Sequence, residues 1–347
     1  MYFFRREKIQ CRYQFSLRDA VDNALLQRAL TAALASAPYY TQRLVQEKRE
    51  MWLEPNTEPC LVYHGSTMRN IPEQTNGYLF CISCEGDTVY FDWHHFLLDG
   101  HGVSPLLTSI LEQYCNLRYG TAFAVPQIVC DPPYDIEAML AEYPPVEGGS
   151  DVIQRDVVQT YEGALRRTRV CLSKQSLVEK ALENNAKPVS ALMGLLCMAM
   201  REYLGKEKIQ YSYSSDTRDV AGVPHALYNC VCSFEHTVQL QAKTRLADLV
   251  SDIDADIKRD LQPQSKRRRM TEQMGWVYQV YRQRASLKIK KRVFQMGEYI
   301  SGFPSDFWVS YQGDPFVPAD PDLEKYLTDF QTWVPADGAS IGVECTT

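Results

Sequence analysis

Residues 91–102 read FDWHHFLLDGHG: His94 and His95 side by side, then Asp99 and Gly100, with His101 behind them. Imidazole can bind a metal ion or carry a proton near neutrality, because its unperturbed pKa is about 6.5. A shared ion is disfavoured by geometry. The preceding run, residues 88–93 (TVYFDW), reads as a strand, and neighbouring strand residues point to opposite faces. His95 then shares a face with Phe91 and Trp93, and His94 with Asp92. A set of His95, Asp99 and His101 is conceivable as metal ligands, but no further ligand follows at a useful spacing; the expectation is that no metal is bound. Two readings of the pair stay open: hydrogen-bonded polar groups at a strand end, or an acid–base centre.

The rest of the chain narrows the chemistry. No GxSxG elbow occurs, and no cysteine sits beside a histidine in a nucleophile motif. The 11 cysteines are odd in number and scattered, as expected of reduced thiols in a cytoplasmic protein. Cys81 and Cys84 (CxxC) and Cys230 and Cys232 (CxC) fall in strand-like segments, away from the turns that zinc sites use. Of the 347 residues, 45% are hydrophobic and 23% charged, and the formal net charge is −6. That is a globular composition without the basic character that non-specific nucleic-acid binding needs. The most apolar run, residues 191–200 (ALMGLLCMAM), is about half a membrane span and reads as a buried helix. The opening MYFFRREKIQCR has no apolar signal-peptide core.

The elements that would position residues 91–102 follow from pattern. Residues 12–17 (RYQFSL) read as a strand, and Asn23 is placed to cap a helix through Ala35 with Leu26, Leu30, Ala33 and Leu34 on one face. Residues 43–45 and 51–53 read as short strands. Two β-rich runs, 78–84 and 88–94, flank Glu85-Gly86-Asp87, a hairpin signal. Ser104 and Pro105 suggest an N-cap and first helical position for a helix with Leu107, Ile110, Leu111 and Tyr114 on one stripe. Residues 132–150 hold four prolines and end in Gly-Gly-Ser, the strongest linker signal. Beyond it come a strand at 164–173, helices at 173–186 (capped by Ser173) and 188–204, strands at 209–215 and 229–240, a polar helix at 244–261 and a strand around 308–311. The expected class is α/β, in two halves of similar size, 1–150 and 151–347.

With this context, HHFLLDG (HHxxxDG) resembles the signature of the chloramphenicol acetyltransferase-like superfamily, which includes condensation domains, plant BAHD acyltransferases and stand-alone acyltransferases. Residues 16–44 (SLRDAVDNALLQRALTAALASAPYYTQRL) look like that superfamily's opening strand–helix–strand, closest to the alcohol acetyltransferase-like branch. SYSSDTRDV and LYNCVCSF resemble its arginine segment and the strand after it, and WVSYQG its SNxG strand, with Tyr311 where the family has Asn. The resemblance implies two chloramphenicol acetyltransferase-like halves with a tunnel between them. It also implies a further strand and a final helix after ASIGVECTT, so that the C-terminal half is trimmed or truncated.

The implied reaction is acyl transfer from a thioester to a hydroxyl or amine without an acyl-enzyme. By resemblance, His95 is the general base, His94 supports it, and Asp99 pairs with Arg218 to hold the loop. Gly100 lets backbone pass close to the tunnel. Ser310 and Tyr311 are candidates for oxyanion or acceptor contacts. No cofactor is bound; a coenzyme A thioester is the co-substrate, and the protein acts as a monomer. Residues 258–292 form a positive cluster in an acidic chain. It is either a solvated helical face or a landing site for donor phosphates on Lys266, Arg267, Arg268 and Arg269, carried by coenzyme A or by a carrier protein. Three functions are thus in play: an acyl-CoA-dependent acyltransferase, a stand-alone carrier-protein-dependent condensation enzyme, and a non-catalytic binding protein on the same fold.

Overall fold

The computed structural model describes residues 10–142, 167–301, 305–316, 319–334 and 341–346; for 298–301 only the backbone is described. In chain order the elements are β1 (Gln10–Leu17), α1 (Asn23–Ala35), β2 (Gln42–Gln46), β3 (Met51–Pro55), β4 (Val62–His64), β5 (Phe80–Glu85), β6 (Thr88–His94), α2 (Gly100–Tyr119), α3 (Ile136–Glu142), α4 (Lys174–Glu183) and α5 (Pro188–Leu204). Then follow β7 (Lys208–Asp216), α6 (Arg218–Ala221), β8 (Val231–Gln239), α7 (Leu246–Asp260), α8 (Pro263–Arg282), α9 (Leu287–Ser301), β9 (Phe307–Gly313), β10 (Leu327–Trp333) and β11 (Ile341–Thr346).

Two sheets organise the chain. The first has the order β10-β1-β6-β5-β4 and the second β11-β9-β7-β8; β2 and β3 form a separate ribbon. Strand alternation divides the first sheet's side chains. Phe15, Phe80, Phe91 and Trp93 enter a core shared with Leu26, Leu30, Leu107, Leu111 and Tyr114 of α1 and α2. In the second, Ile209, Tyr211, Phe307 and Val309 meet Met193 and Cys197 of α5 and Ile253 and Ile257 of α7. The apolar run at 191–200 is part of α5, a helix only partly buried. Mixed helix and sheet in two lobes is the architecture expected from the sequence.

Several local expectations need correction. Helix α1 is capped by Asp22, whose side chain accepts from Leu25 N–H, and not by Asn23. Helix α2 begins at Gly100, capped by Asp99 through Gly102 N–H, so Ser104 and Pro105 lie inside it. Asp99 prevails because Arg218 and the Cys230 amide hold its carboxylate at that spot, whereas the Ser104 hydroxyl is turned to the Pro315 carbonyl. Within 132–150, residues 136–142 form α3; residues 143–150 lie outside the described residues. Residues 164–166 of the expected strand at 164–173 also lie outside them. Residues 167–173 are not a strand: Arg169 grips Asp329 and Arg167 grips Gln331, so side chains hold this segment to β10. Strand β10, near the end of the chain, pairs with β1 from its beginning, so chain order and sheet membership do not coincide.

The halves touch closely at the start of α2. A Cβ on Gly102 would lie 1.9 Å from the Leu227 carbonyl oxygen, which is backbone of the other half. Backbone cannot swing aside as a side chain can. Gly102→Ala is therefore expected to lower stability by about 1–3 kcal/mol or more, the usual cost of overpacking. A thermal melt equal to wild type would contradict this contact.

Candidate active site

Strand β6 carries the site to the boundary between the halves and stops at His94. The His94 N–H donates to Leu79 O, and Leu97 N–H turns back to His94 O. His94 is buried, its ring edge-on to Phe96 at 4.6 Å. The Phe96 N–H donates to His94 Nδ1 at 3.4 Å, which places a neutral His94 proton on Nε2.

His95 sits in the turn, half-buried. Its Nδ1 lies 2.9 Å from the Leu98 carbonyl oxygen. A carbonyl only accepts, so Nδ1 must be the donor, and neutral His95 holds its lone pair on Nε2. The same carbonyl accepts from the Trp93 indole N–H at 3.1 Å. The His95 carbonyl in turn accepts from Asn229 Nδ2 at 3.1 Å, across from the other half. The two histidines are therefore opposite tautomers, one turned into the lobe and the other fixed at its rim.

Asp99 and Arg218 form an ion pair at 2.8 Å, both nearly excluded from solvent. Asp99 also accepts from the Gly102 and Cys230 amides, at 2.8 and 2.9 Å. Arg218 gives three more N–H groups to Ala226 O, Tyr228 O and Asp216. Burial works against the guanidinium's charge, but Asp99 and Asp216 together more than offset it, so its pKa ends raised. The pair ties the loop after β6 to α6 and to the segment leading into β8.

Gly100 is crowded by side chains: a Cβ there would lie 2.8 Å from Tyr13 Oη and 3.0 Å from Gln312 Oε1. In β9, Tyr311 is exposed and Ser310 half-buried. Ser310 stands opposite Glu344 of β11 in the ladder.

Sequence reasoning missed Gln312 and Glu344, treated below, and a buried pair on β1 and β6. Arg12 makes two hydrogen bonds to Asp92, at 2.6 and 2.8 Å, and a third to Ser66 O. Desolvation raises the Asp92 pKa despite Arg12. The available signal was an arginine and an aspartate at alternate positions of two strands, where they face each other across the ladder.

The four basic residues expected to hold donor phosphates are engaged within the protein. Lys266, buried, binds Asp219; Arg268 binds Glu272; Arg269 binds Glu235 and Ser233 O; Arg267 donates to Val220 O. His101 faces solvent and Asp216. Among the described residues no three His, Cys, Asp or Glu side chains converge as a metal site, and no helix is long and apolar enough to cross a membrane. Burial lifts the thiols of Cys81, Cys197, Cys230 and Cys232 to about 12, so none of these four offers a thiolate at neutral pH.

No protein-family model matches the chain, and no curated protein matches it by sequence. Solved structures do. Polyketide synthase associated protein 5 from Mycobacterium tuberculosis is 18% identical, with a TM-score of 0.68 over 98% of this chain and 86% of that one. The first condensation domain of the CDA synthetase is 14% identical, with a TM-score of 0.60 over 97% and 82%. F. graminearum TRI101, solved with coenzyme A and deoxynivalenol, is 11% identical, with a TM-score of 0.57 over 96% and 88%. The chain thus has the fold that these solved structures share.

Proposed function

We propose that this protein transfers an acyl group from a thioester, an acyl-CoA, to a hydroxyl or amine acceptor, with His95 as general base. The observation that carries the reading is the hydrogen bond from His95 Nδ1 to Leu98 O. It fixes the tautomer that leaves Nε2 basic, on a ring held at the rim where the two halves meet. In the proposed step Nε2 takes the acceptor's proton as oxygen or nitrogen attacks the thioester carbonyl. The new C–O or C–N bond forms, the C–S bond breaks, and the proton passes to the leaving thiolate. Such proton transfer contributes about 10²–10⁴-fold in rate.

Asp99 acts in this account through position. With Arg218 it anchors the loop that presents His95, and its carboxylate is spent on Arg218 and two backbone amides. His94 supports from within the lobe, and Gly100 keeps the entrance to α2 free of a side chain. Ser310 is proposed on the acceptor side, opposite Glu344 in the ladder; Tyr311, exposed at the end of β9, is the weaker of the two contacts. Donor phosphates on Arg267, Arg268 or Arg269 would have to compete with the acidic and carbonyl partners already there. A donor KM that rises with salt supports that contact, and one flat across salt removes it.

Thiol release from a panel of acyl-CoAs tests the function, measured with and without alcohols and amines. Acceptor-dependent release is the expected result. The likeness to condensation domains supports a second reading, in which the donor is loaded on a carrier protein. Release from carrier-bound donor alone would select it. Ligand binding without release from either donor would leave a binding protein on this fold.

A further inference from the structure

Strands β9 and β11 run parallel, with Ser310 opposite Glu344. Phe307 and Val309 point into the core of the C-terminal half, joined there by Ile341, Val343 and Cys345. By alternation Ser310, Gln312 and Glu344 share the other face of the sheet, turned toward the N-terminal half. There Gln312 bridges the halves: Tyr13 Oη of β1 donates to its Oε1, and its Nε2 donates to Glu344 Oε2 at 2.6 Å. The same amide lies against Gly100. Tyr13 packs edge-on to Trp93 at 4.7 Å, and the Trp93 indole shares the Leu98 carbonyl with His95. Glu344 is thus linked by contacts to the proposed base.

Its surroundings are unusual for a carboxylate. Gln312 hydrogen-bonds it and Ser310 stands opposite it, but among the described residues no Lys, Arg or His lies within ion-pair distance. Cys11 and Tyr13 of β1 and Cys345 beside it are the titratable groups that sense its charge, and none is cationic. Burial pushes the Glu344 carboxyl up to about 8, with Ser310 and Gln312 pulling it only part of the way back. A half-buried carboxyl without a counter-ion, on the face turned to the N-terminal half, marks a place for a cation from outside.

We propose that Glu344 is the recognition carboxylate for an acceptor that arrives as a protonated amine. The proposal rests on the acyl-transfer reading and narrows its acceptor from a hydroxyl or amine to an amine. Binding at neutral pH expels the carboxyl proton to solvent, leaving carboxylate against ammonium. The carboxylate next takes one ammonium proton, giving neutral amine and carboxylic acid. The amine nitrogen attacks the thioester, the C–N bond forms, and the C–S bond breaks. His95 Nε2 takes the second N–H proton and passes it to the thiolate.

Titration calorimetry on the full chain tests this at pH 7, in two buffers of different ionisation enthalpy. The probes are phenethylamine and hexylamine, each against its neutral counterpart, phenethyl alcohol and hexanol. An amine should bind about tenfold or more tighter than its alcohol, the worth of a charge-assisted hydrogen bond, and release close to one proton. Glu344→Gln should abolish both differences. If that variant does not fold, the proton release and amine preference of wild type carry the decision. Equal affinity for amine and alcohol, amine binding unmoved by Glu344→Gln, or no amine binding overturns the proposal. Amine binding with proton release but no acylation of the amine by acyl-CoA or carrier-bound donor would keep Glu344 as an amine site and remove the acyl-transfer reading instead.

Discussion

Asp99→Ala is expected to destabilise the protein by about 3–5 kcal/mol, because it leaves the buried Arg218 guanidinium without its counter-charge. Arg218 is 3% exposed and Asp99 2%, so water cannot replace the lost partner at the same spot. The Ala226 and Tyr228 carbonyls and the more exposed Asp216 remain, and they offset part of the loss. Two further effects come with the substitution. Helix α2 loses its N-cap, worth about 0.5–2 kcal/mol, and the Cys230 amide loses its acceptor.

Thermal or urea melts measure the sum. Arg218→Ala should cost a comparable amount. The double variant should cost clearly less than the two singles added, since removing both charges leaves neither stranded. Asp99→Asn should fall between wild type and Asp99→Ala, keeping an oxygen for the Gly102 amide but no charge for Arg218. A melt of Asp99→Ala equal to wild type would mean that the ion pair does not join the halves. Any loss of turnover in Asp99→Ala should track the loss of fold, because the carboxylate acts through the loop and not on substrate.

What the residues disclosed, and what they hid, follows from the range of the interactions. Elements set by local pattern were legible. The stripe through Leu107, Ile110, Leu111 and Tyr114 marked α2, and Glu85-Gly86-Asp87 marked the β5–β6 hairpin. Helix starts were less so. At both α1 and α2 two capping residues compete, Asp22 with Asn23 and Asp99 with Ser104, and distant partners decide. Asp99 is chosen by Arg218, 119 positions away.

The pairing of β10 with β1 was invisible for the same reason: no local signal announces a ladder between Phe15 and Phe330. In the candidate site, the seven residues of HHFLLDG pointed to His95 and Asp99. Gln312 and Glu344 carried no signal, since nothing local shows that their face is turned to the other half. The basic cluster shows the opposite case. Its acidic partners Asp219 and Glu235 lie on other elements, so the sequence displayed the positive charge without its neutralisation.

One imidazole, fixed by Leu98 O with its Nε2 basic, is proposed to take the acceptor's proton. His95→Ala removes that nitrogen. It leaves Asp99, Arg218 and the cap of α2 in place, and its half-buried ring is not part of the main apolar core. The most direct measurement is acceptor-dependent thiol release by His95→Ala beside wild type, with a melt of each. The expected result is a fall in turnover of about 10²–10⁴-fold with the melting temperature little changed. Turnover equal to wild type, with the same donor and acceptor, would contradict it.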